Sequence, residues 1–181
     1  MRDELKKLLN TTNELSIDDF DYTLRTAKHF ARSTGAIPPE DEARARLELK
    51  HSPDDLMIVL DDMAYYRMIE TQYIWHYCLW RLQAVLEGMI TGKFLRDHVS
   101  GPLLGLKSKR EAMQRAGYTV EQADFDELID WGRLRNVLSH HPPHSDFPGP
   151  LDEPDVEEYA NLAKRMCQNW FNESPLSTSV A

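Results

Sequence analysis

Arg135, Asn136 and His140 place a guanidinium, an amide and an imidazole within about one and a half helical turns, just before Pro142-Pro143 must end a helix. The guanidinium stays charged and offers a fork of donors suited to a phosphate. An imidazole with an ordinary pKa of about 6.5 can give and take a proton at cellular pH. The three residue types therefore suit binding of an oxyanion combined with proton transfer.

The helix that must position them is read over Phe125 to His140. At about 100° per residue, Phe125, Leu128, Ile129 and Gly132 share one face, and Arg135, Asn136, Ser139 and His140 continue it. Trp131, Leu134, Val137 and Leu138 form a second apolar face, which leaves Asp126, Asp130 and Arg133 toward water. The pattern predicts burial on both faces, with polar groups aimed at an interface or a reaction site, because buried charge is costly unless it is paired or used. In a purely structural role Arg135 would instead pair with an acid of the upstream helix such as Asp61, Asp62 or Glu70. His140 would then only complement the dipole at the helix end.

An arginine, a polar residue directly after it and a histidine five positions beyond the arginine resemble the signature of the HEPN superfamily, small all-helical domains of prokaryotic toxins and defence proteins. The resemblance rests on Arg135, Asn136 and His140, in a mainly helical chain with a long apolar helix upstream. It implies an all-α, HEPN-like bundle and a metal-independent endoribonuclease of toxin-antitoxin or phage-defence type, acting without a cofactor. It also implies a homodimer whose two motifs share one cleft, with RNA as substrate and a possible antitoxin or regulatory partner. In such a site His140 would serve as general base or acid, Arg135 would hold the anionic phosphorus, and Asn136 would orient the ring or hold a phosphate oxygen. HEPN members without nuclease activity act as scaffolds or binding modules, so a non-catalytic interaction module is the alternative. Some HEPN toxins carry a tyrosine two residues after the histidine, where an antitoxin modifies them; here that position is Pro142, which speaks against this control.

Composition narrows the remaining possibilities. A chain of 181 residues with 41% hydrophobic and 28% charged content matches one globular domain, and only eight glycines disfavour a strand-and-turn architecture. The net charge of −9 opposes general nucleic-acid coating. The stretch from Lys93 to Arg115 nevertheless holds six basic residues against Asp97 and Glu111, and Lys107, Lys109, Arg110 and Arg115 are its candidate RNA contacts. The longest uncharged stretch around Trp75 is too short for a bilayer and Met1-Arg2-Asp3-Glu4 does not read as a signal peptide, so a cytoplasmic location is expected. Cys78 and Cys167 lie in helix-patterned segments and are expected as buried free thiols.

Helices are predicted over Arg2 to Leu9, Ser16 to Arg32, Glu40 to Lys50, Asp54 to Gly92, Lys107 to Ala116, Glu121 to His140 and Pro154 to Phe171. Residues 1–171 form the single domain, and 172–181 are expected to be a mobile tail. The Asp54 to Gly92 helix, about 57 Å long, is apolar nearly all round from Tyr73 to Ile90 and needs covering by more than one layer. Its aromatics Tyr65, Tyr66, Tyr73, Trp75, Tyr77 and Trp80 are expected to pack in the core or a dimer rather than stack bases, because only Arg67 and Arg81 supply positive charge nearby. His76 is expected as a hydrogen-bonded core histidine. A metal site at His140, His141, His144 and Asp146 is disfavoured because Pro142 and Pro143 interrupt the helix that would align its ligands. The acidic pairs Asp54-Asp55 and Asp61-Asp62 lack the second cluster a divalent-metal pyrophosphatase would need, and read as a solvated face.

Overall fold

A computed structural model describes residues 15–99, 101–140 and 150–173, with the side chain of His140 left out. The expected helix at Arg2 to Leu9, the loop residues 141–149 and the tail from 174 onward lie outside the described residues. Every regular element among the described residues is helical, and together they form an α-helical bundle. The helices are α1 (Asp18–Thr34), α2 (Pro39–Glu48), α3 (Pro53–Met89), α4 (Gly105–Arg115), α5 (Gln122–His140) and α6 (Glu153–Asn172), with a π-helical turn at Ile90–Phe94 prolonging α3.

Helix α3 forms for the reasons its sequence offers: proline in the first turn, acids Asp54 and Asp55 at the positive N-terminus, and no later proline. Its C-terminal half supplies the core. Leu79, Leu82, Val85, Leu86 and Met89 are wholly buried, each contributing about 1.5–3 kcal/mol by leaving water. In the π turn the Leu95 N–H donates to the Ile90 carbonyl at 2.9 Å, and Phe94 and Leu95 are buried. Phe94 then stands edge-on to Tyr118 and Trp170 at 5.6 and 5.5 Å between ring centroids.

Three layers cover this half. Helix α1 runs antiparallel to α3, since Leu15 packs closely on Gly88 while Gly35 lies near Thr71. Helix α6 seats Cys167 against Met89 and runs antiparallel to α1, tied by Lys28 to Glu153 and Glu157 and by Lys164 to Asp21. It begins in a capping box, Asp152 accepting from the Asp155 N–H and Asp155 from the Asp152 N–H, and buries one apolar stripe from Val156 to Trp170. Helix α5 forms the third cover. Gly117, at φ +91°, ends α4 in the left-handed conformation that only glycine adopts without strain, and lets the Tyr118 N–H bond back to Met113. Both cysteines are buried free thiols, and burial pushes each up to about 12.

The aromatic cluster of α3 is only partly in the core of this chain. Trp75 is buried, but Tyr65, Tyr66, Tyr73 and Tyr77 are exposed, so most of the aromatic cluster lies outside the core of this chain. The reason is geometric. Val59, Asp62, Tyr66, Ile69, Tyr73, His76, Trp80, Gln83 and Glu87 alternate three- and four-residue steps, which places them on one seam. Helix α5 engages that seam at Gln83 and Glu87.

His76 on the same seam has its pKa lowered by burial. The unfolded chain therefore takes up this proton before the folded one does, and stability falls as pH drops below about 6.5 toward the depressed folded value. Urea unfolding at stepped pH should show this slope, and His76→Gln should flatten it.

Candidate functional site

The motif helix is fixed to the bundle at its middle. Trp131 stands edge-on to the buried Tyr159 at 5.6 Å, and the buried Gln83 amide donates to the Trp131 carbonyl at 3.1 Å. Phe125 and Leu128 are buried, Trp131, Leu134 and Leu138 are half-buried against the core, and Asp126, Asp130 and Arg133 face water as the helical pattern requires. Burial raises the Tyr159 phenol far above its ordinary range, with the Glu87 carboxylate adding to the effect. Tyr159 is therefore a neutral packing group.

Arg135 lies beyond this anchor. One of its nitrogens is 3.7 Å from Glu87 Oε1, and another donates to Asn136 Oδ1 at 3.2 Å. The longer distance marks an electrostatic tether rather than a hydrogen bond. The Arg135 side chain keeps 38% of its surface exposed, so part of the fork stays available to a ligand. Glu87 Oε2 meanwhile binds the ammonium of Lys109, which is buried. One carboxylate thus neutralises a buried lysine and restrains the motif arginine.

Asn136 and Ser139 are exposed, and the Ser139 hydroxyl donates to the Arg135 carbonyl at 2.8 Å. The polar half of α5 therefore faces outward within one chain, where burial on both faces was expected; any cover for Asn136 and Ser139 must come from elsewhere. His140 is the last residue of α5, which keeps it on the helix that carries Arg135 and Asn136. Its side chain lies outside the described residues, as do His141, His144 and Asp146. Among the described residues no three His, Cys, Asp or Glu side chains are grouped to hold a metal ion.

The four candidate RNA contacts separate into two kinds. Lys107 and Arg115 are exposed. Lys109 is instead an internal partner of Glu87, and Arg110 lies 4.5 Å from the Phe125 ring centroid while donating to Gln122 at 2.6 Å. A cleft of about 550 Å³ opens beside the network, with Glu87, Thr91, Arg96, Leu103 and Lys109 on its walls.

Glu87 is the residue that the sequence reading missed. The expected acids Asp61, Asp62 and Glu70 lie on the N-terminal half of α3, whereas Arg135 reaches Glu87. The signal was present, since Glu87 is the single acid in the apolar stretch from Tyr73 to Ile90.

The fold and site together define an all-α bundle with a tethered arginine next to an asparagine on the last turns of one helix. Compared with protein-family models, with curated proteins and with solved structures, the chain matches none. No described helix is long and apolar enough to cross a membrane.

Proposed function

We propose that the chain is a HEPN-like, metal-independent endoribonuclease of toxin-antitoxin or phage-defence type, acting as a homodimer with a composite site. The observation that carries this reading is Arg135, restrained by Glu87 yet half-exposed, beside Asn136 on the helix that ends in His140. In the proposed reaction a ribose 2′-hydroxyl loses its proton to one His140 and attacks the adjacent phosphorus. The P–O5′ bond breaks, and the leaving 5′-oxygen takes a proton from the second His140. Arg135 offsets the charge gathering on the non-bridging oxygens. One histidine per motif leaves one proton-transfer role unfilled, and a second copy fills it.

Support for a second copy comes from the open seam on α3. Tyr66 and Tyr73 on that seam are 66% and 45% exposed, which is unusual for residues of this size on a helix running into the core. The three-four spacing suits a helical partner.

A second reading is favoured by the placement of Lys109 and Arg110 inside the fold. With two of four candidate RNA contacts committed and a net charge of −9, a non-catalytic helical interaction module is the alternative.

Incubation of a labelled mixed-sequence RNA with the protein in excess chelator tests the choice. Cleavage leaving 2′,3′-cyclic phosphate ends is the expected result. Inert protein that is still dimeric would overturn the nuclease reading in favour of the module.

A further inference from the structure

A groove of about 460 Å³ runs between α1 and α3 on a part of the bundle that the motif helix does not line. Its volume lies within the roughly 300–1,000 Å³ usual for small-ligand sites. Ala27 and Cys78 make a closely packed floor, both buried. Tyr22, Phe30, Ile74 and Tyr77 also line it, and the three aromatics among them stay largely exposed.

The antiparallel course of α1 and α3 gives the groove two unlike ends. Phe30 and Ile74 lie at one end, and Asp19 and Arg81 lie at the other. With Arg25 at the rim, two guanidinium groups stand there against the one carboxylate of Asp19. The Asp19 carboxylate is turned to its own chain, accepting from the Ser16 N–H at 2.7 Å and from the Ser16 hydroxyl at 3.3 Å. Asp21, the next acid along α1, accepts both of its bonds from Lys164. Arg25 lies 4.8 Å from the centroid of the Tyr22 ring, adding positive charge at the rim. Arg81 is exposed and forms no ion pair among the described residues.

We propose that this groove binds a small aromatic monoanion, its ring against Tyr22, Phe30 and Tyr77 and its anionic group on Arg81. A flat ring suits walls made of exposed aromatic faces, where stacking and apolar burial act together. A carboxylate or similar anion suits a guanidinium whose fork of donors is not taken up by an ion pair among the described residues. The site is independent of the proposed nuclease chemistry, and its occupant could be bound whether or not RNA is cleaved.

The test is an NMR titration of the full chain with indole-3-propionate, its uncharged amide and tryptamine, which share a ring and differ in charge. Saturable binding of the acid is expected, about tenfold tighter than the amide, with tryptamine weaker still. Arg81→Gln should leave acid and amide equal. Thr26→Trp, at an exposed position on the groove wall, should abolish binding of both while leaving the helical circular dichroism unchanged. Equal binding of acid and amide to the natural chain would overturn the role of Arg81. Binding that survives Thr26→Trp would overturn the location, and no saturation of any probe by about 10 mM would overturn the site.

Discussion

Replacing Glu87 with alanine should lower the free energy of unfolding by roughly 2–4 kcal/mol, far more than loss of a surface ion pair. The cause is Lys109. Its side chain is only 7% exposed, and Glu87 is the acid that meets its ammonium. Without that carboxylate the lysine must keep an uncompensated charge out of water, lose its proton, or drag α4 away from α3. The expected asymmetry separates this from a simple packing loss. Lys109→Met, which keeps length and apolar stem, should cost much less, because the carboxylate it leaves behind is 30% exposed and still has Arg135 beside it. In that background Glu87→Ala should cost about 1 kcal/mol or less, so the two changes couple strongly. Urea unfolding of the four proteins, followed by circular dichroism, measures the coupling. Equal costs for Glu87→Ala in both backgrounds would show that Lys109 does not depend on it.

The same carboxylate links stability to the candidate site. Glu87 reaches Arg135 with the oxygen that Lys109 does not use, so its removal frees Arg135 from the only acid near it among the described residues. A residue whose loss both weakens the bundle and unfastens the motif arginine would explain why an acid occupies the apolar half of α3.

How far the sequence revealed this arrangement depended on the range of each interaction. Helix positions were local properties and were largely legible: Pro53 in the first turn of α3, Pro154 in the first turn of α6, and Gly117 after α4 all mark ends the structure shares. The stripe from Val156 to Trp170 was legible because one helix face packs against one core. Tertiary pairing was less so. The choice among Asp61, Asp62, Glu70 and Glu87 as the partner of Arg135 depends on how α5 lies along α3, which periodicity within either helix does not encode. The burial of Lys109 was hidden for a related reason. Its neighbours Lys107 and Arg110 suggest a basic surface, but on a helix they point in different directions, and the Lys109 direction leads to Glu87. The tyrosines of α3 show the remaining gap. Apolar character signals a surface that prefers cover, yet does not say whether the cover lies in the same chain.

If the proposed reaction operates, Arg135→Ala and His140→Ala should each reduce RNA cleavage by about 10²-fold or more, while leaving the fold intact. Arg135 and Asn136 are exposed enough for truncation to leave little cavity, and Arg135 shares Glu87 with Lys109, so Glu87 does not lose its only partner. Arg135→Lys is informative because it preserves charge and loses the planar fork. It should recover part of the activity if charge suffices, and little if two phosphate oxygens must be held at once. The composite site makes a further demand that a single-chain site does not. When natural chain and His140→Ala chain exchange subunits in equal amounts, only about a quarter of the dimers carry two histidines. Activity should then fall to about a quarter, against about a half if each chain acts alone. A half would remove the reason for requiring two motifs per reaction, and one histidine would have to carry both proton transfers or share them with a group on its own chain.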